Sequence, residues 1–172
     1  MRASRSAAAR LPAPQTEPDP HASLRVWLRL LACSSLVEGQ VRRRLRVEFG
    51  ITLPRFDVLA QLDAADRASV HGLTMSELSR RLMVTNGNLT GLVERLVHEG
   101  LVSRVTSATD RRTQIVRLSA AGRRALHAMT PVHEQWIDDM FAALSPDEHA
   151  QLDALLGRLR DSIRTSFTGV QG

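Results

Sequence analysis

Apolar residues recur at three- and four-residue steps from Ser23 onward. Trp27, Leu30, Leu31, Cys33, Val37, Val41, Leu45 and Phe49 fall on one stripe of a long helix that Gly50 ends. Pro54 suits the first turn of a second helix, where a missing N–H is tolerated, and Phe56, Leu59, Ala60 and Leu62 supply its short apolar face. Residues 63–72 show no sustained period and predict a loop with a short edge strand near Val70. Thr74-Met75-Ser76-Glu77 has the spacing of a capping box, with Leu73 and Leu78 placed as its hydrophobic staple, so a third helix starts at Met75. Its apolar positions, Leu78 and Leu82, give out at Met83-Val84. Thr85 then caps a fourth helix with Leu89, Leu92, Val93, Leu96 and Val97 on one face and Gly100 as its stop.

After Leu101 the pattern becomes extended. Val102 to Thr106 and Thr113 to Leu118 are rich in β-branched residues and are joined by residues 107–112, which predicts a hairpin. Ser119 caps a fifth helix running to about Leu144. Ser145-Pro146-Asp147-Glu148 opens a sixth, with Leu152, Leu155, Leu156, Leu159 and Ile163 on its apolar side. Ahead of all these elements, Pro12, Pro14, Pro18 and Pro20 stand among Ala, Ser and Arg, a composition that cannot offset its ordering entropy and predicts a disordered tail.

With 172 residues, 43% of them hydrophobic, the chain can fill one ordinary core. It has no apolar run of the ~18 to 20 residues that span a bilayer, and its first residues lack the apolar centre of a secretory signal, so the expected location is the cytoplasm. A single cysteine excludes an internal disulfide and a four-cysteine zinc site. The 23 basic residues are all arginine, and the net charge is +5. The planar guanidinium fork suits phosphate and guanine edges, but a GC-rich coding sequence also explains the missing lysine, so position carries the argument. Between Arg104 and Arg117 four arginines oppose only Asp110, a local net of +3, whereas from His133 to Asp161 seven acids oppose only Arg158 and Arg160. One basic surface and one acidic element follow.

Two short helices joined by a three-residue turn, then a basic hairpin, place the second helix of the pair where it can enter a major groove. Its residues outside the apolar stripe are small or amide-bearing. Thr85, Asn86, Gly87, Asn88, Thr90, Gly91 and Arg95 suit base edges and phosphates, because asparagine pairs with adenine, threonine touches a thymine methyl and glycine admits close approach. Glycines at 87 and 91 weaken an exposed helix by about 0.8–1 kcal/mol each relative to alanine, and the core pattern does not require them. The bland alternative is a poor surface helix beside a solvated turn. On the hairpin, Arg104, Asp110, Arg111 and Arg112 are the candidate contacts, with Arg112 entering the minor groove and Asp110 orienting an arginine.

Residues 24–164 resemble the MarR family of bacterial regulators. The resemblance rests on Thr74-Met75-Ser76-Glu77-Leu78, on Leu89-Thr90-Gly91-Leu92-Val93-Glu94-Arg95-Leu96, on Gly100-Leu101-Val102 and on the wing from Asp110 to Ser119. It implies a dimer whose first, fifth and sixth helices interlock, winged domains that grip adjacent major grooves, and release of DNA when a small effector binds. The expected fold is mainly α with a small β-wing. The expected organisation is a disordered tail over 1–22, an N-terminal dimerisation helix over 23–50, a winged helix-turn-helix DNA-binding domain over 51–118, C-terminal dimerisation helices over 119–166 and a tail over 167–172. A two-fold dimer with reading helices one turn apart matches an inverted repeat with half-sites ~10 to 10.5 base pairs apart.

Some members of the family sense hydroperoxides through a cysteine on the first helix, engaged by tyrosine hydroxyls. This chain has no tyrosine, and Cys33 lies on the apolar stripe, so it reads as a buried small hydrophobe, with a redox switch as the alternative. His21, His71, His98, His127, His133 and His149 include no pair one helical turn apart, so neither a metal nor a cofactor is expected. The resemblance implies an organic acid, phenolic compound or thioester as effector. Trp27, Arg43, Arg46 and His71 are candidate pocket residues, against readings of Trp27 as core and of the arginines as solvated surface. No phosphate loop, nucleophile elbow or paired catalytic carboxylates point to an enzyme. A remaining rival is a winged-helix module whose basic hairpin meets an acidic protein.

Overall fold

The structure is a computed structural model that describes residues 19–107, 110 and 112–168, leaving aside the side chains at 86, 167 and 168. The elements are α1 (Ala22–Phe49), α2 (Leu53–Arg67), β1 (Leu73–Thr74), α3 (Met75–Leu82), α4 (Asn86–His98), β2 (Val102–Thr106), β3 (Gln114–Leu118), α5 (Ala120–Phe141) and α6 (Pro146–Thr168). This is the expected class, mainly helical with a small antiparallel sheet. Most of the expected tail, residues 1–18, lies outside the described residues, and α1 already includes Ala22 from that span.

The chain divides into two compact units, one ending at Leu36 and the other starting at Val37. In the first, residues 22–36 are the opening turns of α1, and a lone helical segment cannot bury its own stripe. Leu24, Leu28, Leu31 and Leu36 stand exposed there. So do Trp27, at 55%, and Cys33, which corrects the expectation of a buried thiol and of Trp27 as core.

The second unit holds one core. Val41 and Leu45 end the stripe of α1, and Phe56, Val58, Leu59, Leu62 and Ala65 of α2 meet Leu78 of α3, Leu89, Val93 and Leu96 of α4, and Leu126, Met129 and Trp136 of α5. Gly50 (φ +63) and Gly100 (φ +70) end α1 and α4 in the left-handed region that glycine adopts without strain. Val97, expected on the buried face of α4, is exposed. An aromatic cluster that periodicity does not reveal joins α1, α2 and α5. Phe56 lies 4.9 Å from His133, Phe49 lies 6.1 Å from Trp136, and the Arg44 guanidinium sits 5.6 Å above the Trp136 ring. Burial lowers the His133 pKa, partly opposed by Glu134.

The loop expected over 63–72 is largely helix, because α2 runs to Arg67, and the short edge strand is Leu73–Thr74 instead of a segment near Val70. Two features carry the helix onward. Leu62 and Ala65 extend its buried face, and Asp63, only 4% exposed, is held by Arg67 at 3.0 Å, by His127 at 3.6 Å and by Arg123 at 3.7 Å. Arg123 also reaches Asp66 at 2.8 Å, tying α2 to α5.

The sheet has strand order β1-β3-β2. Leu73 pairs with Val116, and Val102 through Thr106 pair with Leu118 back to Gln114. Gly72 (φ +105) lets β3 approach, since a Cβ there would stand 2.7 Å from the Val116 carbonyl oxygen. Helix α5 starts where Ser119 accepts the Gly122 N–H at 2.9 Å, ends at Phe141 before the expected Leu144, and contains Pro131. Helix α6 begins with a reciprocal Ser145–Glu148 cap and runs through Thr168, two residues past the expected boundary. Its Leu155, Leu156, Leu159 and Ile163 are exposed.

Candidate nucleic-acid interface

The first helix of the pair is fixed at its start by the capping box foreseen in the sequence. Thr74 Oγ1 accepts the Glu77 N–H at 3.2 Å, and the Glu77 carboxylate accepts the Thr74 N–H at 2.8 Å and hydroxyl at 2.8 Å, which holds its pKa below the usual range. The turn into α4 is fixed by Ser79. Its carbonyl accepts the N–H groups of Met83 and Val84, and its hydroxyl donates to the Val84 carbonyl at 2.5 Å. Thr85 occupies the N-cap position of α4 as expected, but its side chain makes no capping bond, so its exposed hydroxyl is not used by the helix.

On α4 the buried Leu89, Val93 and Leu96 leave Gly87, Asn88, Thr90, Gly91, Glu94, Arg95 and His98 exposed. The Asn86 side chain lies outside the described residues. A Cβ added to Gly87 or Gly91 would meet nothing within 4 Å, so packing in this chain does not explain either glycine. A groove of about 360 Å³ beside this face is lined by Pro54, Val84, Asn88, Leu89, Gly91, Leu92 and Arg95. Arg55, next in sequence to Pro54, pairs with Glu99, and burial together with the charge of Arg95 lowers its pKa. Arg55 was not singled out from sequence, nor were Arg80 and Arg81, which lie exposed in the last turn of α3. Their proximity to α4 was the available signal.

The hairpin turn is built on Asp110. Its carboxylate accepts the backbone N–H of Arg112 at 2.9 Å and the Thr113 hydroxyl at 2.7 Å, and these bonds hold its pKa below the usual range. Asp110 therefore orients Arg112 through its backbone N–H, and that residue is exposed. Arg111 lies outside the described residues. Arg104 is half-buried on β2, with its buried Nε lacking a partner. Behind the hairpin, Ser119 donates to the Gly100 carbonyl at 2.7 Å, and its N–H bonds the Leu101 carbonyl at 3.1 Å, so the end of α4, the hairpin and the start of α5 form one joint.

Of the candidate effector residues, Trp27 lies in the first unit, Arg43 and Arg46 are exposed on α1, and His71 is an exposed loop residue whose carbonyl accepts from Arg117 Nε at 2.9 Å. None of the four lines the groove beside α4.

A profile of the MarR family matches residues 49–113, the span from the end of α1 through the hairpin turn. The transcriptional activatory protein BadR of Rhodopseudomonas palustris is 33% identical over 99 residues, covering 58% of this chain and about half, 55%, of BadR. A crystal structure of a MarR family transcriptional regulator from Silicibacter pomeroyi is 32% identical, with a TM-score of 0.67, over 82% of this chain and 94% of that one. A MarR variant from E. coli, solved in complex with operator DNA, is 26% identical with a TM-score of 0.68, over 82% of this chain and 98% of that one. These relatives are regulators, not enzymes, and by its helix pair, wing and sequence this chain belongs to the MarR family of winged helix-turn-helix transcriptional regulators.

Proposed function

We propose that this chain is a sequence-specific, double-stranded DNA-binding regulator that acts as a homodimer on an inverted-repeat operator. It represses from that site and leaves it when a small anionic or aromatic organic ligand binds. The observation that carries the reading is the exposed face of α4, where Asn88, Thr90 and Arg95 flank two glycines that no packing requires, next to a hairpin whose turn holds Arg112 exposed. Such a face admits base edges, and the arginine suits the narrower groove. The exposed leucines of α6, and separately those of residues 22–36, support a second copy as the dimer partner. A cytoplasmic location fits this role, and no helix among the described residues is long and apolar enough to cross a membrane.

Selection from random duplexes, followed by affinity measurements across salt concentrations, tests the reading. A preferred sequence that survives competitor DNA, with affinity falling steeply as salt rises, is expected. No preferred duplex would leave a protein-contact module. Asn88→Ala and Thr90→Ala are expected to alter base preference more than salt slope, whereas Arg112→Ala lowers affinity. Equal binding by all three would remove the proposed interface. A thermal-shift screen with aromatic acids and acyl thioesters tests the ligand class, with Trp27, Arg43, Arg46 and His71 as pocket candidates. A rise in unfolding temperature with at least one of them is expected. The exposure of Cys33 favours a second reading, a redox switch. Peroxide-induced loss of DNA binding that vanishes in Cys33→Ser would support it, and unchanged affinity would discard it.

A further inference from the structure

Met83 carries two costs that the fold does not need. Its backbone is left-handed (φ +54), a conformation that glycine adopts freely and other residues seldom do, and its side chain is 93% exposed. The other non-glycine residue with such a backbone among the described residues, Ser69, is small and polar. The three hydrogen bonds from Met83, Val84 and Ser79 fix this turn through backbone and Ser79 atoms alone, so the Met83 thioether takes no part in holding it. It is displayed from a rigid mount.

We propose that Met83 is a specificity-determining DNA contact, its flexible apolar side chain seated against a thymine methyl at the edge of the major groove. The inference rests on the DNA-binding reading above. Two residues separate Met83 from Thr85 by at most about 7 Å, which keeps it at the N-terminal end of α4, the end that enters the groove in helix-turn-helix docking. Leu82, turned to the core, and Val84, 38% exposed, flank it directly, and beyond them stand Arg80, Arg81 and the amide-bearing start of α4, a cationic and polar surround suited to a duplex. The thymine methyl is the apolar group the major groove offers, and an unbranched, polarisable thioether adapts to it.

The test uses the full chain and the duplex it selects, with thymines replaced one at a time by uracil to delete each methyl. Met83→Gly and Met83→Asn both tolerate the left-handed backbone and are expected to unfold at or above the wild-type temperature. Met83→Gly is expected to lose about fivefold in affinity for the selected duplex, the size of one modest contact. On one particular uracil-substituted duplex that difference should disappear, while Met83→Leu should keep most of the affinity. Undiminished binding by Met83→Gly would overturn the proposal, and an equal loss on every uracil duplex would overturn the thymine assignment. A lower unfolding temperature in both the Gly and Asn variants would show that the fold needs the side chain and overturn it too. Failure of the DNA-binding reading is distinguishable, because the wild-type chain would then select no duplex at all.

Discussion

Gly122 presses against Leu101: a Cβ at position 122 would stand 2.0 Å from the Leu101 carbonyl oxygen, closer than any real contact. That oxygen accepts the Ser119 N–H and sits where α4 hands over to β2, so the first turn of α5 is seated on the root of the hairpin. Gly122→Ala must push backbone away from backbone. It is expected to destabilise the chain by about 1–3 kcal/mol, as overpacking does, with a lower urea midpoint as the readout. An unchanged midpoint would show that the joint yields.

Asp110 gives a prediction whose sign separates two explanations. If the carboxylate matters only as a charge, Asp110→Ala removes a repulsion toward phosphate and tightens DNA binding. If it matters as the organiser of the turn, its loss frees the Arg112 N–H and the Thr113 hydroxyl and weakens binding. We expect weakening of about tenfold, roughly 1.4 kcal/mol, by fluorescence anisotropy at fixed salt.

Gly91→Ala is expected to exchange function for stability. The new methyl meets open space in the free chain, so the helix gains about 0.8–1 kcal/mol, while the same methyl would crowd the surface proposed to meet base edges. A higher unfolding temperature with a lower affinity for the selected duplex is the expected pair of results.

Asp57 supplies the pH dependence. Burial, then the neighbouring Glu38, raise its pKa to about 6, with Arg42 opposing them. A carboxyl whose pKa is raised by folding contributes stability while protonated and loses it as pH climbs from the unfolded value toward 6. Asp57→Asn should therefore stabilise the chain at pH 8, by on the order of 1 kcal/mol once partial solvent screening is allowed for, and by progressively less toward pH 4. Denaturation curves at several pH values check it.

Helix starts were legible because each is written in a few adjacent residues. Thr74 with Glu77 and Ser119 ahead of α5 foretell bonds that the structure contains. The continuation of α2 was not legible, because Asp63 reads as polar punctuation until Arg123 and His127, some sixty residues away in sequence, are brought beside it. Cys33 and Trp27 failed for a different reason: a periodic stripe identifies an apolar face without saying whether the same chain covers it. In the proposed DNA-reading face, the residue types of α4 were visible in the sequence, whereas the left-handed Met83 and the backbone role of Asp110 are conformational and leave no periodic trace.

Helix α5 is gripped at its beginning, by the hairpin root through Ser119 and by the acidic pair of α2 through Arg123 and His127. Proline at 131 then deletes the backbone rung to the carbonyl of residue 127, directly beyond that grip. The stretch beyond the proline is anchored in its own right, His133 against Phe56 and Trp136 against Phe49 and Arg44, so the missing rung falls between two held segments of one helix. Packing on both sides therefore carries the continuity that the backbone lacks at this point, and an alanine at 131 would restore the rung without disturbing either anchorage.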